Sequence, residues 1–178
     1  MNSVADFASR LEGRINEASD RLGCGLGWRL FYSPLSVLEG ASVAFIGLNP
    51  GGRFEPSDHP RLASDDGSAY VTEIWHGQAP GQDKLQLQVR ALFDRLGVRP
   101  DQVLAGNLVP FRSPAWRDLP SPKDAEHFGE EIWREIFARA KPRLIICNSQ
   151  LSFKTLLKVF DASAPQSAPA GWGNITVD

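Results

Sequence analysis

A chain of 178 residues is the size of one domain and long enough to bury a substantial core. Its composition, 42% hydrophobic and 22% charged, is ordinary for a globular protein, and its apolar runs break off well short of the roughly 20 residues a membrane-spanning helix needs. A net charge of −2 and a pI of about 5.9 argue against a protein built to clamp duplex DNA non-specifically, while leaving room for an enzyme that grips a few phosphates.

The first residues carry acids and no apolar block, so no secretory signal is expected there. Val4, Phe7, Leu11, Ile15, Ala18 and Leu22 recur at three- and four-residue steps and predict one amphipathic helix, ended by the glycines at 23, 25 and 27. The stretch Trp28 to Leu35 reads as an aromatic-rich connection. Ser42 to Ile46 is a continuous apolar run that suits a strand buried on both faces. From Asn49 to Asp83 periodicity fades and Gly, Pro, Asp and Ser accumulate, which predicts a long functional or mobile loop.

Leu85, Val89, Leu92, Phe93 and Leu96 mark a second helix, closed by Gly97, and Gln102 to Ala105 a second buried strand ending at Gly106-Asn107. Ser121-Pro122-Lys123-Asp124 predicts a helix start with a serine cap. Phe128, Ile132, Ile136 and Ala140 form the core face of that helix, and Pro142 stops it. Leu144 to Cys147 is the third strand, and Ser149 caps a last helix that turns Phe153, Leu156, Leu157 and Phe160 inward. Ile175 to Val177 is expected to be a fourth strand, cut off at the terminus. Strands alternating with helices predict one α/β domain over 1–178, its parallel sheet covered on both faces and its ligands beyond the carboxyl ends of the strands. Asn49, Asn107 and Asn148, each just past a strand, should share that edge.

Two segments carry candidate chemistry. In Gly47-Leu48-Asn49-Pro50-Gly51-Gly52 the proline fixes one backbone angle and the glycines permit a sharp bend with exposed amides. Such a turn can hold the Asn49 side chain rigidly; its plain reading is a strand-to-loop turn, and no Gly-Lys-Ser/Thr follows to make it a phosphate loop. In Asn107 to Pro114 the asparagine offers a donor and an acceptor, while Arg112, Ser113, Trp116 and Arg117 suit phosphate, sugar or an exposed base. The plain reading here is a proline-punctuated surface loop. Of Asp65, Asp66 and Glu73 in the long loop, one could act as a base or bind a metal, but their spacing matches no known metal loop and solvated loop acids are the commoner reading; Cys147 reads as inert packing. The tryptophans at 28, 75, 116, 133 and 172 read as core or loop anchors. Cys24 and Cys147 are too few and too distant for a disulfide framework or a zinc site, so a reducing cytoplasm is the expected compartment.

Taken together, Tyr32-Ser-Pro-Leu35, Phe45-Ile-Gly-Leu-Asn-Pro-Gly51 and Gly106-Asn-Leu-Val-Pro110 resemble the uracil-DNA glycosylase superfamily, and most of all its single-strand-selective and mismatch-specific branches. The resemblance covers roughly residues 30–160 and rests on short motifs. It implies a three-layer α/β/α fold with a four-stranded parallel sheet between helices, and a monomer that excises a flipped uracil or related base from DNA, single strands included, with no metal, cofactor or membrane. It further implies that Asn49 positions the attacking water and that Gly47, Leu48, Pro50, Gly51, Phe54 and Asn107 bind the substrate, with Asn107 reading the base edge and Phe54 (Tyr70 second) stacking on it. Arg112, Ser113 and Arg117 would then meet the DNA backbone.

One departure stands out. The family's second motif, a His-Pro-Ser or Asn-Pro-Ser loop after the fourth strand, is absent; His59-Pro60 directly follows the first motif, and His76 and His127 lack the context. Either the domain continues past Asp178 or the loop has been lost. The competing readings are therefore a catalytically inactive relative that binds a nucleobase, nucleotide or single strand, and a different small-molecule enzyme on the same plan.

Overall fold

In the computed structural model, which describes residues 3–54 and 59–162 and the backbone of 168–169 and 176–177, the N-terminal apolar stripe forms α1 (Val4–Arg21). Ser3 starts it with a reciprocal cap: its hydroxyl accepts from the Asp6 amide at 3.0 Å, and the Asp6 carboxylate accepts from the Ser3 amide at 3.2 Å. Phe7, Leu11, Ile15 and Ala18 are its buried face.

The three apolar runs become β1 (Val43–Gly47), β2 (Leu104–Asn107) and β3 (Leu144–Cys147), all parallel, in the order β2-β1-β3. Ala44, Ile46 and Leu104 turn to a core shared with α1, α4 (Pro122–Ala140) and α5 (Gln150–Val159). Val43, Phe45, Val103 and Ala105 turn to the opposite core, with Tyr70 of α2 (Ala69–Thr72) and Val89 and Phe93 of α3 (Lys84–Arg95). Helices on both faces of a parallel sheet make three layers. From β1 the chain steps to one side for β2 and then crosses to the other for β3, so the order reverses at β1, the position where open α/β sheets take ligands. No helix among the described residues is long and apolar enough to cross a membrane.

The expected four-stranded sheet is corrected to three strands. Thr176–Val177 (β5) pairs antiparallel with Ala168–Pro169 (β4), in a ladder separate from the sheet, and no described strand pairs with the outer edge of β3. A partner about eight residues away closes a far shorter loop than a return to β3, and the entropic cost of closure grows with loop length. Ile175 and Trp172 lie outside the described residues. β2 also starts later than expected: Pro100–Gln102 is a 3₁₀ turn, while Gly106 and Asn107 stay in the ladder opposite Ile46 and Gly47. Ser121 makes no side-chain cap to α4, which begins instead on Pro122.

The aromatic connection is the larger surprise. Residues 27–32 run antiparallel along the free edge of β2, with Arg29 N–H to Pro110 O (2.8 Å), Asn107 N–H to Leu30 O (2.9 Å) and Tyr32 N–H to Ala105 O (2.9 Å). The long loop continues the layering, since Leu30, Phe31 and Ser64 amides bond to Arg61, Leu62 and Ser33 carbonyls. Its described part is therefore tied down by backbone hydrogen bonds.

Helix α4 approaches the carboxyl end of β2 at Gly129, where an added Cβ would lie 2.5 Å from the Leu108 carbonyl oxygen. Backbone cannot yield as a side-chain tip does, so Gly129→Ala should destabilise the fold by about 1–3 kcal/mol. The urea midpoint measures this; an unchanged midpoint would show that the helix can shift without penalty.

Candidate functional site

The carboxyl edge of the sheet brings the expected asparagines together. Asn107 ends β2 directly opposite Gly47 of β1, Asn49 lies two residues past Gly47, and Asn148 follows β3 with its amide bonded to Ile46 O at 2.8 Å. The Gly47–Gly52 turn is stapled to the segment after β2. Leu108 and Val109 amides donate to Gly47 and Leu48 carbonyls at 2.9 Å, and the Ser113 amide to Pro50 O at 3.2 Å. Arg112 donates from its guanidinium to the Gly51 carbonyl. Gly52 adopts φ +96°, a left-handed conformation that glycine permits and a β-carbon resists. From the third strand's side, Ser152 at the start of α5 donates to Gly47 O at 3.0 Å.

Within this frame the Asn49 side chain is fixed. Its amide nitrogen donates to Ser113 Oγ (2.9 Å), Phe111 O (3.2 Å) and Pro50 O (3.3 Å), while its oxygen has no partner among the described residues. Ser113, 2% exposed, passes its own hydrogen to Ala115 O at 2.9 Å. Arg112 is likewise buried, so both residues hold the turn from inside, whereas Arg117 is solvent-exposed beside Asp118. Phe54 is 82% exposed, and nothing described covers its ring.

Asn107 belongs to a second network. Its amide nitrogen donates to Arg29 O at 3.1 Å and to the Tyr32 hydroxyl at 3.2 Å, and Trp133 Nε1 donates to its backbone carbonyl at 2.8 Å. The Arg29 guanidinium lies 4.7 Å from the centroid of the Tyr32 ring and forms a two-pronged pair with Glu73, at 2.9 and 2.5 Å. Glu73 Oε2 also accepts from Trp75 Nε1 at 3.0 Å and lies 3.6 Å from His59 Nδ1. Gln86 of α3 secures the segment by donating to the Ala69 and Glu73 carbonyls, both at 2.9 Å.

Arg29 and Glu73 thus join the candidate site, although no motif singles out Arg29 along the chain and Glu73 reads there as a loop acid. The available signal was a lone charge inside Trp28-Arg29-Leu30-Phe31 and an acid flanked by Tyr70 and Trp75, because a charge in an apolar run is either wasted or paired. Asp65 and Asp66 are exposed as expected, and they border, with His59, Ser64 and Glu73, a cleft of about 440 Å³. Tyr70 packs edge-on against Phe45 and Phe93 inside the core, where burial pushes its hydroxyl well above the usual range, so it is not a stacking surface. Burial also raises the Cys147 thiol to about 11, which keeps it protonated and unreactive. Among the described residues no three His, Cys, Asp or Glu side chains lie close enough to hold a metal.

The fold and the site define an α/β protein whose turns at the carboxyl ends of two adjacent parallel strands present paired asparagines. Comparisons with protein-family models, with curated proteins and with solved structures find no match to this chain.

Proposed function

We propose that the protein is a uracil-DNA glycosylase-like enzyme that hydrolyses the N-glycosidic bond of uracil or a related damaged base in DNA. The observation that carries this reading is the orientation of Asn49: its nitrogen is committed to three acceptors, which leaves the amide oxygen as the end that faces a ligand. A fixed neutral oxygen accepts a hydrogen from water and orients it without deprotonating it. That suits a reaction in which the glycosidic bond breaks ahead of full attack. Asn107, on the neighbouring strand, supplies a polar group for the base edge, and the exposed Phe54 and Arg117 are available to a flexible single strand. No cofactor enters the proposed reaction.

The test is release of uracil from single-stranded and gapped oligonucleotides. Asn49→Ala should lower kcat by roughly 10²-fold while DNA binding is retained, the scale expected when a reacting group loses its orientation. No abasic product from the wild type, or an unaffected Asn49→Ala, would sink the reading. One observation favours the non-catalytic alternative: Arg112 and Ser113, expected at the DNA backbone, are buried within the protein. That alternative gives salt-sensitive binding of the same oligonucleotides with no base released.

A further inference from the structure

Resting on the base-binding reading above, we infer that Tyr32 touches the bound base and supplies, from its hydroxyl, the hydrogen-bond donor that Asn107 has already committed within the protein.

The amide orientation of Asn107 follows from its neighbours. The Arg29 carbonyl can only accept, so the side-chain nitrogen must face it, at 3.1 Å. That nitrogen carries two hydrogens, and the second goes to the Tyr32 hydroxyl at 3.2 Å. Neither remains for a ligand. The Tyr32 oxygen, having accepted from Asn107, directs its own hydrogen elsewhere, and no described residue accepts it. The Asn107 oxygen lies on the Gly47 side, where a β-carbon would sit 3.2 Å away; glycine at 47 keeps that approach clear.

The Asn107 side chain therefore keeps an acceptor, Oδ1, and the Tyr32 hydroxyl bonded to its nitrogen keeps a donor. The complement of this pair is a planar heterocycle that presents an N–H beside a C=O, the lactam edge of uracil being the simplest case. The tyrosine is braced for this role. Arg29 lies 4.7 Å from the ring centroid, and the rings of Tyr70 and Trp75 stand 5.5 and 5.7 Å away. Tyr32 as a whole is half-buried, neither sealed in the core nor free in solvent.

The experiment pairs Tyr32→Phe with a change of one ligand atom. Wild type and variant are given single-stranded oligonucleotides that contain uracil or 4-thiouracil, whose thiocarbonyl is the weaker acceptor. Both binding, by fluorescence anisotropy, and base release are recorded. Wild type should prefer uracil by roughly tenfold, the scale of one neutral hydrogen bond, and Tyr32→Phe should lose that preference. The larger sulfur affects both proteins alike and cancels in the comparison. A tyrosine that merely props Asn107 gives a different result: the variant weakens, but its preference for uracil persists, and the inference is overturned. Wild type indifferent to the substitution overturns it as well. Binding preference without base release overturns the glycosylase reading alone, so the two failures are separate.

Discussion

Glu73→Ala should destabilise the protein by about 3–5 kcal/mol, a large share of the roughly 5–15 kcal/mol that holds a domain of this kind together. The Arg29 side chain is 3% exposed and that of Glu73 9%, so removal of the carboxylate strands a guanidinium where water cannot reach it. It also takes the acceptor from Trp75 Nε1, at 3.0 Å. Replacing both charges has the opposite logic. Arg29→Met with Glu73→Leu removes two desolvation penalties together with one attraction, and should be more stable than either single variant. Urea unfolding of the four proteins decides the matter. If Glu73→Ala lies within about 1 kcal/mol of wild type, Arg29 finds water or another partner and the pair is not structural. The double variant should nevertheless weaken the oligonucleotide binding proposed above, because Arg29 supports the Tyr32 ring.

A comparable effect is expected at Trp133, which is fully buried on α4. Its ring meets Phe31 edge-on at 6.0 Å and Phe137 at 5.0 Å, and a β-carbon on Gly106 would come within 3.1 Å of it. Trp133→Ala empties this space and should cost about 3–5 kcal/mol. Trp133→Phe keeps most of the packing but leaves the Asn107 carbonyl without its donor at 2.8 Å, a loss of about 1–3 kcal/mol. The two variants separate packing from hydrogen bonding. Equal midpoints for both would mean that the indole nitrogen, rather than the volume of the ring, accounts for the residue's contribution.

Much of the frame is legible along the chain, because helices and buried strands announce themselves over short stretches. The stripe from Phe7 to Ala18 became α1, and the run Leu144–Cys147 became β3 over the expected residues, although as an edge strand it is half-buried and its Leu144 exposed rather than buried throughout. What the sequence conceals is pairing between distant residues. Trp28–Tyr32 carries neither alternation nor uniform apolarity, yet it lies along β2, because β2 offered a free row of backbone groups there. Arg29 and Glu73 each look like ordinary surface charges until the fold brings them together. The turn that carries Asn49 directly after β1 is marked by its proline and glycines. That Arg112 would brace it from within was not visible, since arginine in a loop usually faces water.

The ties around the two asparagines have a consequence for the order in which the protein assembles. Arg29 to Glu73 spans 44 residues, Asn49 to Phe111 spans 62, Asn107 to Arg29 spans 78, and Ser152 to Gly47 spans 105. Each tie closes a long loop before any local contact rewards it, which slows its formation relative to the helices. On a ribosome, the set stays incomplete until Ser152 has emerged, after the residues that surround both asparagines have all been made. The two amides are thus held in their final frame only after Ser152 has been made, however early the asparagines themselves emerge.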